Sequence, residues 1–191
     1  MLFPVKTTIE MGPEGITYKG KFVAWNDIVD FSYSITSINR ALNYQISYSD
    51  KNGKNYILHF MHSIAGSKKK KEIFAEIYGM FHEGVTNALI LPNAKKWADD
   101  IRKGLEVTLA GAIITNKGIT VPKPMRKKQT FFIPWDQIEI EHRDGSGGFD
   151  VKSNTMPKER GFFQYSIVGS RYLLATLEQL FPEQAKVYSE Q

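Results

Sequence analysis

The stretch TFFIPWDQIEIEH, residues 130–142, carries apolar side chains at Phe131, Ile133, Trp135, Ile138 and Ile140 and is broken once, at Pro134. Spacing of that kind predicts a strand of a buried sheet. An earlier stretch, KFVAWNDIVDFSY, residues 21–33, reads the same way, with Trp25 and Ile28 standing as Trp135 and Ile138 do. The recurrence predicts an internal duplication, which governs every later assignment of elements.

Working outward, MGPEGIT (Met11 to Thr17) is matched by TNKGIT (Thr115 to Thr120), each expected to turn at a glycine in a positive-φ conformation. Gly15 and Gly118 stand 103 positions apart and the two tryptophans 110, so the second copy carries seven more residues, at PKPMRKK (Pro122 to Lys128). After the first Trp come the alternating stretches DIVDFSYSI, NYQISYSD and KNYILHFM, the last two joined by the hairpin signal Asp50-Lys51-Asn52-Gly53. After the second come DQIEIEHR, GGFDVKSN and GFFQYSIV. Each series closes in a helix. Ser67 is the expected cap of one bearing Ile73, Phe74, Ile77, Tyr78 and Phe81, and Ser170 of one bearing Leu173, Leu174, Leu177, Leu180 and Phe181. Between them, LPNAKKWADDIRKGLE predicts a packed helical connector capped by Asn93 and bearing Trp97, Ile101 and Leu105. The expected organisation is a first repeat at 1–90, a connector at 91–104 and a second repeat at 105–191.

A β-meander closed by a C-terminal helix, with the hairpin Thr-Asn-Lys-Gly-Ile and the following Ile-Pro-Trp-Asp-Gln-Ile, resembles the bacterial pleckstrin-homology-like (PH/GRAM-like) domains. The resemblance covers both repeats, with about six strands legible in each. It implies an α+β, mainly β chain of two similar PH-like units, each an antiparallel meander or partly open barrel closed by its C-terminal helix.

Composition narrows the function classes. Of 191 residues, 42% are hydrophobic and 24% charged, which predicts a folded chain rather than a disordered one. The absence of cysteine excludes disulfides, thiol catalysis and cysteine metal sites. No apolar run approaches the roughly 20 residues of a membrane helix, and the N-terminal residues have no leader pattern, so a cytoplasmic location is expected.

No chemistry-bearing constellation emerges. His59 and His62 fall on opposite faces of one strand, His82 lacks a second histidine one helical turn on, and His142 is one polar residue at a strand end. The run Asp144 to Gly148 leads into a strand rather than a helix, which fits a hairpin loop and not a phosphate cradle. Asp99 and Asp100 are neighbours and point to different faces of a helix. Catalytic, cofactor and metal residues are therefore not expected. Tyr18, Tyr33, Tyr44, Tyr48 and Tyr56 suit sheet packing better than base stacking, and nucleic acid is not an expected partner.

Two basic clusters stand out from the net charge of +5: Lys68, Lys69, Lys70 and Lys71, and Lys123, Arg126, Lys127 and Lys128. The first opens a helix, where the dipole disfavours lysine by up to about 1 kcal/mol each before screening. The second occupies the early inter-strand loop that, by the resemblance, would hold anionic lipid head groups. The sequence thus points to a non-enzymatic interaction module that binds a protein or peptide through a strand edge or helix groove. The alternative is peripheral binding of an anionic membrane surface through these bases. Oligomeric state stays open.

Overall fold

The computed structural model describes residues 9–182 apart from 64, 124–125, 144–147, 157, 159 and 166; of residues 38, 123 and 126–128 it describes the backbone only. The chain is mainly β and divides into two compact units, Met1–Leu89 and Ile90–Gln191. Among the described residues the strands form four antiparallel sheets and no closed barrel. No described helix is long and apolar enough to cross a membrane.

In the first unit, β1 (Ile9–Gly12), β2 (Gly15–Tyr18) and β3 (Lys21–Ala24) form one meander. β4 (Ile28–Ile38), β5 (Ala41–Asp50) and β6 (Asn55–Ser63) form another. Gly15 does not take a positive φ. Its requirement is one of space, because a Cβ there would lie 2.2 Å from the Val23 carbonyl oxygen and 2.9 Å from the Phe22 ring. The predicted Asp50–Gly53 turn is present: Gly53 takes φ +75°, and the Asp50 carboxylate accepts from the amides of Asn52 and Lys54 at 2.9 and 3.0 Å.

Between the meanders, Trp25–Asp27 makes one 3₁₀ turn, closed by the Ile28 amide on the Trp25 carbonyl. Trp25 is buried, and its Nε1 donates to the Gly12 carbonyl at 2.9 Å. The helix α1 (Lys68–Val85) buries Phe81 and Val85, while Ile73 at the N-terminal end of its predicted stripe is exposed. Ser67 makes no side-chain cap bond; the amides of Lys70 and Lys71 turn onto its backbone carbonyl instead. A π-helical turn follows at Thr86–Ile90.

The second unit begins with α2 (Leu91–Arg102), in which Asn93 lies inside the helix rather than capping it. Leu105 is past its end and exposed. A four-stranded sheet of β7 (Val107–Leu109), β8 (Ala112–Thr115), β9 (Gly118–Lys123) and β10 (Arg126–Pro134) is followed by a 3₁₀ turn at Trp135–Gln137. Then come β11 (Ile138–Arg143), β12 (Gly148–Ser153), β13 (Arg160–Gln164) and α3 (Val168–Leu180).

Ile114, Ile119, Val121, Ile133, Phe149 and Val151 fill this core from the sheets, and Leu173 and Leu177 from α3. Ser170 is buried within the first turns of α3, whose cap position is Ile167, so the cap expected there is also absent. Trp135 is only partly buried, its ring 4.9 Å from Phe181. Gly118 repeats the constraint of Gly15, a Cβ there falling 2.3 Å from the Ile133 carbonyl oxygen and 2.5 Å from the Phe132 ring.

Candidate interaction surface

The second meander of the first unit has two unlike faces because side chains alternate along each strand. Phe31 and Tyr33 of β4, Tyr44, Ile46 and Tyr48 of β5, and Tyr56 and Leu58 of β6 are buried on one of them. The other carries Ser32, Ser34 and Thr36, then Asn43, Gln45, Ser47 and Ser49, then Ile57, His59 and Met61, with Asp30 at one end. It is a hydroxyl and amide surface almost without charge. Ser32 and Ser47 share a hydrogen bond of 2.7 Å across β4 and β5, and His59 bonds the Asn43 side chain across β5 and β6.

β6 is an edge strand of this sheet, nine residues long, and its register to β5 runs unbroken from Ser49 opposite Asn55 to Ala41 opposite Ser63. It contains no Lys, Arg, Asp, Glu, Pro or Gly. Ile57 and Met61 are 61% and 66% exposed, so two large apolar side chains stand in water beside an edge that, among the described residues, pairs with no further strand. The sequence reading foresaw an edge in general terms but did not single out this strand. The signal was there, in nine consecutive residues without a charge.

The predicted anion-binding residues fall on two elements, one in each unit. Lys123 ends β9 and Arg126 begins β10 directly opposite it, with Lys127 and Lys128 following before a register shift that ends at Thr130. The second cluster is therefore the tip of a β-hairpin. Its side chains, together with Pro124 and Met125, lie outside the described residues. Lys68, Lys69, Lys70 and Lys71 form the first turn of α1 in the other unit; the first three are exposed and Lys71 is half-buried. Lys68 makes a loose ion pair of 3.8 Å with Glu72, one turn on.

The first unit also holds an open cleft of about 640 Å³, lined by Met11, Pro13, Trp25, Met80, Glu83 and Asn87 among others. Its floor exists because Gly84 has no side chain: a Cβ there would sit 2.3 Å from the Trp25 ring.

The corresponding open face of the second unit's β11–β13 sheet is strongly charged. Lys152 lies between Glu139 at 3.3 Å and Glu141 at 2.8 Å, and the hydrogen bond between Lys152 and Glu141 raises the lysine and lowers the carboxyl. Asp150 is fully buried on this face under Arg143, whose Nε and a terminal nitrogen both reach Oδ2 at 2.5 Å and whose guanidinium covers the Phe162 ring at 4.8 Å. Oδ1 of Asp150 has no hydrogen-bond partner among the described residues.

The histidines are dispersed. His62 is buried between the Tyr44 and Phe74 rings, while Tyr33 bonds His82 Nδ1 at 2.5 Å. His142 packs on Phe149 and Tyr165 and bonds the Tyr165 hydroxyl. The tyrosines Tyr33, Tyr44, Tyr48 and Tyr56 are all core residues.

Burial holds the His142 imidazole below its ordinary 6.5 and pushes the Glu178 carboxyl above 4.5. Between the depressed native value and 6.5 the unfolded chain holds a proton that native His142 refuses, so this group costs stability as pH falls through that window. Glu178 acts in the opposite sense: its native form binds the proton first, so its burial costs stability as pH rises through its raised value. Relative to wild type, H142Q should therefore gain stability as melts are moved from pH 7 to pH 5. A wild-type and variant pair with parallel pH dependence would show that the imidazole titrates equally in both states.

Compared with known protein families, characterised proteins and solved structures, the chain has no significant match.

Proposed function

We propose that the chain is a non-enzymatic interaction module of two related, pleckstrin-homology-like units, the first of which takes up a protein segment as an added strand along β6. The observation that carries this is the long, uncharged, unbulged edge of β6 with Ile57 and Met61 exposed beside it. An extended partner gains backbone hydrogen bonds from such an edge and specificity from alternate side chains.

Relatedness of the units is supported by a set of matched local devices. Gly15 lies under Phe22 and Gly118 under Phe132. The amides of Trp25 and Trp135 return to the preceding hairpins at Glu14 and Lys117, and both tryptophans open 3₁₀ turns closed by an isoleucine amide. The last carbonyl-bearing residues of those turns, Asp27 and Gln137, accept from Lys51 and Asn154 just past the middle strand of the next meander. The 4 + 3 strands and final helix of the second unit fit the pleckstrin arrangement, which has seven strands.

The test uses the full chain as bait in cells cross-linked before lysis, beside an edge-closed variant, I57K/M61K. The reading expects proteins whose recovery depends on the open edge. Equal recovery with both baits overturns it.

One observation favours a second reading: four bases within six residues at a hairpin tip, worth about 1 kcal/mol each near an anionic surface. Peripheral lipid binding predicts co-sedimentation with anionic vesicles, falling steeply with salt, and lost on changing Lys123, Arg126, Lys127 and Lys128 to Glu. No sedimentation at low salt removes this reading.

A further inference from the structure

From the edge chemistry of the first unit we infer that β6 pairs antiparallel with β6 of a second copy of this chain, about a two-fold axis at His59. This rests on the reading of β6 as the protein-binding edge and names its partner.

Natural sheets guard their edges with short strands, bulges, prolines or charges. The other meander ends here carry such guards. Among the described residues, β1 and β3 have four residues each, and β7 has three. β4 has a register shift between Ile28 and Asp30, and β10 combines a shift, a basic run and Pro134. β11 carries Glu139, Glu141 and Arg143, and β13 has five residues beginning at Arg160. β6 alone among the described edge strands is long, straight in register and uncharged.

The choice of occupant follows from self-complementarity. Every chain carries a net charge of +5, so two copies approach most easily where neither contributes charge, and the surface of β4–β6 is almost free of it. Antiparallel pairing centred on His59 sets Ile57 opposite Met61 of the other copy, and Met61 opposite Ile57. On the other face Leu58 meets Phe60, and the strand ends pair Asn55 with Ser63. Apolar side chains thus meet apolar ones, and no charge is desolvated. A charged or acidic segment would find nothing on this strand to answer it.

Because Ile57 and Met61 are exposed, substitutions there test the register without threatening the fold. The experiment is sedimentation of the purified full chain over a concentration series, at low and high salt. The wild type is expected to form a dimer that salt strengthens or leaves unchanged, since screening relieves repulsion between two basic chains. I57K/M61K sets like charges opposite each other twice and should weaken the dimer about tenfold or more. I57K/M61E sets Lys opposite Glu twice in the same register and should restore it.

A wild type that stays monomeric to its solubility limit overturns the inference, as does a dimer indifferent to I57K/M61K. If I57K/M61E is as monomeric as I57K/M61K, the two-fold register is overturned. A monomeric chain that still captures proteins in cells only through an open edge removes the self-pairing while leaving the broader reading in place.

Discussion

Trp25→Ala is expected to destabilise the first unit by about 3–5 kcal/mol, and Trp135→Ala the second by less. Trp25 is 4% exposed, packs edge-on against Phe81 at 5.8 Å and ties the Gly12 carbonyl through its indole nitrogen. Its removal leaves a cavity and an unpaired acceptor together. Trp135 leans on Phe181 and is only partly buried, so less contact is lost. Gly84 sharpens the test. Gly84→Ala should cost about 1–3 kcal/mol by driving a methyl into the Trp25 ring, against a helix-propensity gain of about 1 kcal/mol. In the Trp25→Ala background the clash is gone and the propensity gain remains, so the same substitution should be neutral or stabilising. Denaturant unfolding of the four proteins closes the cycle; additive losses would mean that α1 does not rest on the indole.

The second large effect concerns the buried pair in the second unit, where removing the cation should cost far more than removing the anion. Arg143→Met strands a carboxylate whose side chain is 1% exposed, at about 3–5 kcal/mol. Asp150→Asn leaves a guanidinium already 35% exposed and lying on the Phe162 ring, for a loss of roughly 1 kcal/mol. Replacing both, as Arg143→Met with Asp150→Leu, should recover most of the loss, because no uncompensated charge stays buried. Unfolding free energies at neutral pH check the order; equal losses for the two single variants would place the carboxylate in water.

The basic hairpin and the β6 edge answer to different forces, which makes salt a direct discriminator. Attraction of Lys123, Arg126, Lys127 and Lys128 to an anionic surface is screened over about 10 Å at 0.1 M salt. Pairing along Asn55–Ser63 involves no charge and should not weaken.

Each Trp-Ile stretch, expected as a single strand, is two strands of different sheets joined by a 3₁₀ turn, and the predicted stripe of α1 leaves Ile73 exposed. The sequence by itself determined the alternating runs, the likeness of the two Trp-Ile segments, the Asp50–Gly53 turn and the inward helix residues Phe81, Leu173 and Leu177. Each is written in the side chains of contiguous residues, through a period of two or of 3.6 or a demand for positive φ. It also marked Gly15 and Gly118, though for a different reason from the one that holds. Their backbones need no left-handed conformation; they yield to carbonyl oxygens of β3 and β10, which only strand pairing brings within reach.

Ser67 stands at the cap position of α1 without a side-chain bond, whereas the caps expected at Ser170 and Asn93 are displaced. Both are good caps by type, but tertiary packing sets where the helix begins, burying Ser170 and drawing Asn93 inside α2. The tertiary structure alone decided that Asp150 is buried under Arg143, that Trp25 is enclosed where Trp135 is not, and that NYILHFMHS lies at an edge. Whether a strand is flanked on one side or two depends on partners far away in the chain, and alternation reads the same in either case.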